Sequence, residues 1–125
     1  TLNPAAARLN DGRVMVYGSM GGDGQPQTQA TLFTRYVVQG VPLQESISRP
    51  RWLLGRTWGQ TSDTLKLEGR FTAETVSQLR ALGHEVEMFP DFSEAMGHAG
   101  AIVRHPNGLF EGAFDPRSNG AAAGF

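Results

Sequence analysis

Gly18-Ser19-Met20-Gly21-Gly22-Asp23-Gly24-Gln25-Pro26-Gln27 joins a strand-like run to a helix-like one, and its reading decides what kind of molecule this is. Upstream lies Arg13-Val14-Met15-Val16-Tyr17, rich in β-formers. Downstream, Leu32, Phe33, Tyr36 and Val37 recur at helical spacing before Gly40 stops the pattern. Pro26 suits the first turn of that helix, where its missing N–H is no loss. Glycines without Cβ atoms let an anion approach the peptide N–H groups, and a helix N-terminus adds partial positive charge. An oxyanion and a phosphate both satisfy such donors. The bland alternative is a tight turn whose glycines only supply positive φ.

Spacing separates these readings. A nucleotide P-loop needs Gly-Lys-Ser/Thr at the start of the helix, but Gly24 is followed by Gln25-Pro26, so no lysine meets a phosphate. A dinucleotide fingerprint starting at Gly22 places Gln27 where the third small residue belongs. Ser19 is not centred in a Gly-x-Ser-x-Gly elbow and has no identifiable partner base, which favours a structural role. His84, His98 and His105 lie far apart with no metal-ligand spacing. The sequence therefore calls for no cofactor and no metal.

Composition narrows the partners. At 125 residues the length prior gives one domain, and 39% hydrophobic residues suffice for a globular core. A formal net charge of −1, with both signs dispersed, leaves no electrostatic footprint for nucleic acid or an anionic membrane. The absence of cysteine excludes a disulfide scaffold, a thiol nucleophile and a Cys-ligated metal. No apolar run approaches the length of a membrane span.

Along the chain, residues 5–9 and 13–17 read as a hairpin whose Asp11-Gly12 turn supplies the positive-φ positions. A helix is expected over 26–39, capped by Gly40, and a helical turn over 42–48, which Pro50 forbids from continuing. Residues 52–54 and 64–68 read as short strands. Thr72 is a good N-cap for a helix with Phe71 and Val76 as a hydrophobic staple, Val76, Leu79 and Leu82 facing inward, and Gly83 as C-cap. Residues 85–89 alternate like a strand. Glu94, Met96 and His98 fall in a polar segment read as mobile. Residues 101–104 and 109–114, joined through Pro106-Asn107-Gly108, make a second hairpin. The mixture predicts an α+β layer structure. Asp115 and Arg117 are expected to form an ion pair that pins the tail, with Pro116 holding the intervening backbone rigid, in preference to a catalytic carboxylate role. Arg49 and Arg51 either bind a substrate carboxylate or anchor a turn. Asp23, Gln25 and Gln27 either line a pocket or cap the helix.

Three stretches carry a resemblance. Gly18-Ser19-Met20-Gly21-Gly22 resembles the Gly-Ser/Thr-Pro-Gly-Gly segment of the γ-glutamyltransferase (γ-glutamyltranspeptidase) family, with Met20 in place of proline. Its continuation, residues 23–27, resembles the γ-glutamyltransferase-like branch of that family. Asp115-Pro116-Arg117-Ser118-Asn119-Gly120-Ala121-Ala122-Ala123-Gly124-Phe125 is similar to the family's closing Asp-Pro-Arg-Ser-Asp-Gly-Ala-Ala-x-Gly. Between them, Ser48-Arg49-Pro50-Arg51-Trp52 resembles the family's Ala-Pro-Arg-Trp/Phe segment. The resemblance covers essentially the whole chain, but only part of the family's catalytic subunit.

That resemblance implies a self-processing N-terminal-nucleophile hydrolase, in which a newly exposed threonine attacks a γ-glutamyl carbonyl and its own amine serves as base. Thr1-Leu2-Asn3-Pro4 resembles a later segment of the family, the Ser-Met-Ser-Pro or Thr-Leu-Asn-Pro run. Thr1 then matches the second serine of a pair that binds the substrate's α-carboxylate, and the nucleophile lies outside this chain. Residues 1–125 are accordingly expected to be a single domain, the C-terminal portion of a small subunit, inactive alone. By the same resemblance Gly21 and Gly22 donate backbone N–H groups to the oxyanion. The implied substrates are γ-glutamyl amides such as glutathione, with water or amino acids as acceptors. The implied fold is part of a four-layer αββα sandwich, its other partner being the remainder of the precursor. Such a piece exposes apolar surface or recruits a second copy as a homodimer. The alternatives are a related acylase and a catalytically inactive carboxylate-binding or assembly module.

Overall fold

A computed structural model describes residues 2–57 and 61–124. In chain order they form β1 (Ala5–Arg8), β2 (Val14–Met20), α1 (Gln25–Phe33), α2 (Leu43–Ser48), β3 (Trp52–Leu54), β4 (Leu65–Glu68), α3 (Ala73–Ala81), β5 (Val86–Phe89), β6 (His98–Arg104) and β7 (Phe110–Phe114). Short 3-10 turns lie at Gly22–Gly24 and Glu94–Met96, and a π-helical turn at Thr34–Val38 extends α1. Gly40, at φ 69°, ends that extension in the left-handed conformation that glycine adopts freely.

The first hairpin pairs Ala5 with Tyr17 and Arg8 with Val14. Its turn differs from the expected one. Leu9 N–H donates to the Arg13 carbonyl at 2.9 Å, so three residues, Asn10-Asp11-Gly12, make the loop. Only Gly12 is left-handed, at φ 87°. Asp11 takes a different role, because its carboxylate accepts Arg13 N–H at 3.0 Å and Arg13 Nε at 2.8 Å.

The two hairpins form one antiparallel sheet in the order β1-β2-β6-β7. The join is the longest pairing among the described residues, from Val14 opposite Arg104 to Met20 opposite His98. Here the structure corrects two expectations. Gly18-Ser19-Met20 belong to the strand rather than to the glycine loop, because residues 98–100 offer them ladder partners. The polar segment around Glu94 is a 3-10 turn running into β6, with Met96 fully buried, and is not a loose loop.

Side chains alternate across this sheet. Met15, Ala99, Ala101, Val103 and Ala113 point to one face, where Leu32, Tyr36, Leu43 and Ile47 from the helical segments cover them. The alanines let α1 and α2 approach the strands closely, and Tyr17 stacks on Phe33 with ring centroids 5.7 Å apart. The opposite face carries Val16, Ile102 and Phe110, which are 49%, 50% and 71% exposed; among the described residues the tail lies against its Gly112 and Phe114, and no helix covers it.

A second sheet, β3-β4-β5, pairs β4 with β5 in parallel through the crossover helix α3. Thr72 caps α3, its hydroxyl accepting Thr75 N–H at 3.2 Å. Val76 packs with Leu65, Leu67, Phe71, Leu79 and Val86, as the staple predicts. Leu82 does not join them. It lies at the C-cap, about 120° around the helix from Val76 at 100° per residue, and is 77% exposed.

Candidate functional site at the glycine turn

Met20 ends β2, and the chain then turns through two conformations that side chains rarely adopt: Gly21 at φ 135°, ψ 25° and Gly22 at φ 54°. The turn is tied down through its carbonyls. Gly21 O accepts Gly24 N–H at 3.0 Å and the Thr57 hydroxyl at 3.1 Å, and Gly22 O accepts the amide of Gln25. Gly22 and Asp23 open a helical stretch, so no intrahelical acceptor exists for their amides. Gln25-Pro26 then start α1, whose positive end lies beside the same turn. Backbone donors fixed in this way need no reorganisation when charge develops on a ligand oxygen.

Behind the turn runs Met96-Gly97. A Cβ on Gly97 would come within 2.5 Å of Met20 O and 2.7 Å of Ser19 Oγ, and a Cβ on Gly21 would lie 3.2 Å from Gly97 Cα. Two glycine backbones are therefore in direct contact, a requirement that sequence reading missed at Gly97.

Two clefts flank the turn. One, of about 520 Å³, is lined by Leu2, Asn3, Gly22, Asp23, Gln25 and Pro26. The larger, of about 800 Å³, runs over the open face of the first sheet. Its floor is shallow because Gly18 and Gly100 face each other in register without side chains, with Met20, His98 and Phe114 around them. Leu2-Asn3 forms a wall between the two, and Gln29 Nε2 donates to the Asn3 carbonyl to hold it there. Thr1, to which the resemblance gives a substrate-binding role, lies outside the described residues, as does Phe125.

The other sequence candidates sort by geometry. Gln27 bridges α1 to β3, donating to Leu54 O at 2.9 Å and accepting Leu54 N–H at 2.8 Å, and it lines a separate cleft with Pro26 and Trp52 and neither of the two clefts above. Asp23 is exposed at the smaller cleft, and Gln25 is buried against it. Ser19 is buried, and its hydroxyl donates to Met20 O at 2.6 Å, a structural role. His105 meets Glu111 at 3.0 Å, and Tyr36 donates to the same carboxylate at 3.0 Å, at the end of the sheet away from the glycine turn. His98 Nε2 is enclosed with no partner among the described residues. No cluster of three or more His, Asp or Glu suited to a metal occurs among the described residues.

Asp115 and Arg117 do pair, at 3.0 Å, but inside a larger network. Asp115 Oδ2 also accepts Arg51 and the amide of Ala99, the latter at 2.7 Å. Arg117 reaches Glu68 at 2.6 Å and 2.5 Å, and Arg70 meets the same carboxylate at 3.0 Å. Arg51, Glu68, Asp115 and Arg117 are all buried, so Arg51 anchors the fold and does not bind a substrate carboxylate. Arg49 sits apart, on the surface with Glu45 at 2.6 Å. Burial alone would raise the Asp115 carboxyl, but Arg51 and the donating amides of Ala99 and Arg117 outweigh it and hold it below its ordinary value. Burial pushes Arg51 down to about 10, against the pull of Asp115, and it stays charged at neutral pH. The one sequence sign of Glu68 was a charged end on a strand, Leu65-Lys66-Leu67-Glu68, that is buried throughout.

The whole chain, residues 1–125, matches the family model described as gamma-glutamyltranspeptidase. It is 84% identical over 125 residues to the oxamate amidohydrolase proenzyme of Klebsiella pneumoniae subsp. pneumoniae, covering all of this chain and 24% of that protein. It is 44% identical over 124 residues to the glutathione hydrolase-like YwrD proenzyme of Bacillus subtilis, covering 99% of this chain and 24% of that protein. The chain thus spans about a quarter of the length of these curated relatives. Among solved structures, the transpeptidase CapD of Bacillus anthracis superposes with a TM-score of 0.82 at 22% identity, covering 99% of this chain and 70% of that one. That likeness establishes the α+β fold that the mixture of strands and helices predicts.

Proposed function

Because this chain belongs to the gamma-glutamyltranspeptidase family, we propose that it is the C-terminal portion of a self-processing amide-cleaving enzyme and supplies the oxyanion hole. In this reading the nucleophile is an N-terminal threonine on a segment outside residues 1–125. Gly21 and Gly22 present backbone N–H groups to the carbonyl oxygen as the tetrahedral intermediate forms. The observation that carries it is the glycine turn, whose carbonyls are occupied by Gly24, Gln25 and Thr57 while the amide of Gly22 has no helical acceptor. Thr1 contributes to holding the substrate's carboxylate, the role that the resemblance gives it. The remainder of the precursor is the partner, and it covers the open face of the first sheet; a second copy of this chain is the competing cover.

For the substrate, two amides compete. The resemblance implies γ-glutamyl amides, with transfer to water or an amino acid. The 84% identity to an oxamate amidohydrolase favours oxamate, a small amide that also carries a carboxylate. Both need the same parts: a nucleophile, an oxyanion hole and a carboxylate-binding residue. The test is to express the full-length precursor, determine the N-terminus of every chain in it, and assay oxamate and a γ-glutamyl amide side by side. The expected result is cleavage that exposes a threonine upstream of residue 1, with amide turnover following it. A precursor that stays intact and turns over neither amide overturns the reading in favour of a binding or assembly module.

A further inference from the structure

The glycine turn is held from behind by a strap whose anchor lies in the buried ion network. Arg51 Nη1 donates to the carbonyls of both Met96 and Gly97, at 3.0 Å and 2.9 Å, and Arg51 Nη2 donates to Ile47 O at 3.1 Å. Asp115 closes the clamp, accepting Arg51 with the same oxygen that takes Ala99 N–H at 2.7 Å. Thr28 Oγ1 adds a bond to Met96 O at 3.2 Å. The strap therefore has little freedom, and Gly97 presses its bare Cα against Gly21 and Met20. On the opposite side, the Thr57 hydroxyl fixes Gly21 O at 3.1 Å. A peptide's N–H direction follows from where its flanking carbonyl and Cα are held. Gripping Gly21 on two sides sets the aim of its neighbouring amides.

We propose that Arg51, Gly97 and Thr57 are positioning residues for the oxyanion hole. In this assignment Arg51 and Asp115 clamp the Met96-Gly97 strap against Gly21, and Thr57 ties the turn from the other side. The proposal rests on the oxyanion role given above to Gly21 and Gly22. It adds that the tail segment carrying Asp115 controls the rate through the strap without touching the substrate. Donors displaced by about 1 Å lose up to a hundredfold in rate, whereas ground-state binding through other groups is retained. The signature is a fall in kcat at nearly constant KM.

The experiment uses the full-length processed enzyme and whichever of the two amides it turns over. Thr57→Val removes only the hydroxyl, and Thr57→Ser restores it. Gly97→Ala inserts a methyl where Met20 O stands 2.5 Å away. Thr57→Val and Gly97→Ala are expected to lower kcat at least tenfold with KM within about twofold, and Thr57→Ser to recover most of the loss. Arg51→Lys, which cannot span both carbonyls as the planar fork does, is expected to follow Gly97→Ala if it folds. Should the Arg51 or Gly97 variants fail to fold, the Thr57 pair still decides. Wild-type kcat in Thr57→Val, or equal losses in Thr57→Val and Thr57→Ser, overturns the proposal. Because wild-type turnover is measured first, that failure is distinct from failure of the enzymatic reading, in which the wild type itself is inactive.

Discussion

Asp115 carries more of this molecule than its place near the chain end suggests. It is buried, accepts Arg51, Arg117 and two backbone amides, and joins the first sheet to the tail and to the segment before β3. Removing one partner of such a buried pair costs roughly 3–5 kcal/mol, because the other charge is left uncompensated. Its folded pKa lies below the ordinary carboxylate value, so its stabilisation is complete above about pH 4 and is lost as pH falls through the depressed value. The intact protein is therefore expected to keep a flat unfolding free energy from neutrality to about pH 4 from this group, then to lose stability on further acidification. Urea unfolding across a pH series checks it: Asp115→Asn should lower stability at pH 7 and flatten the acid slope. An acid slope identical in the variant would mean that another carboxylate carries it. The sequence exposed the Asp115–Arg117 pair because the two are neighbours across a rigid proline. It gave no sign that Arg51 and Glu68 join them, since those residues arrive from distant segments.

At the scale of elements, α3 was the most legible feature. Cap, staple and C-terminal glycine are local signals: Thr72, Phe71 and Val76 take the expected places, and Gly83, expected as the C-cap, stands one residue past the C-cap Leu82 at φ 94°. Thr72→Ala should cost about 1 kcal/mol through loss of its bond to Thr75 N–H, read from thermal or urea unfolding. Leu82→Lys, by contrast, should change stability by less than about 0.5 kcal/mol, because that side chain stands in solvent at the C-cap. A loss of 2 kcal/mol or more there would put Leu82 back in the core. The strand β2 was legible only in part. Gly18-Ser19-Met20 has poor strand character on its own, and becomes strand because β6 lies alongside it. The Met96-Gly97 strap was not legible, because the reason for glycine at position 97 is a backbone packed against it from elsewhere.

At the scale of the whole molecule, the first sheet buries one face under helices and leaves Val16, Ile102 and Phe110 on the other. A sheet with an apolar face is stable when that face is covered. Placing lysines there by the double substitution Val16→Lys and Ile102→Lys should leave the helix-covered core intact but prevent stable association with the rest of the precursor. Size-exclusion chromatography of the purified full-length protein reads this directly: co-elution of every chain in the variant would refute the proposed interface. The family was legible in the sequence because its motifs are short runs of adjacent residues: the glycine turn, the Arg-Pro-Arg-Trp segment and the Asp-Pro-Arg close. Local chemistry also determined where helices start and stop, since caps, prolines and positive-φ glycines act within a few residues of themselves. Only the tertiary structure decided that Arg51 anchors the fold, that Gln27 bridges two elements and that Gly97 backs the turn. Each of those roles depends on which distant backbone atom comes within about 3 Å, and that distance is set by the packing of the whole chain, not by the residues on either side.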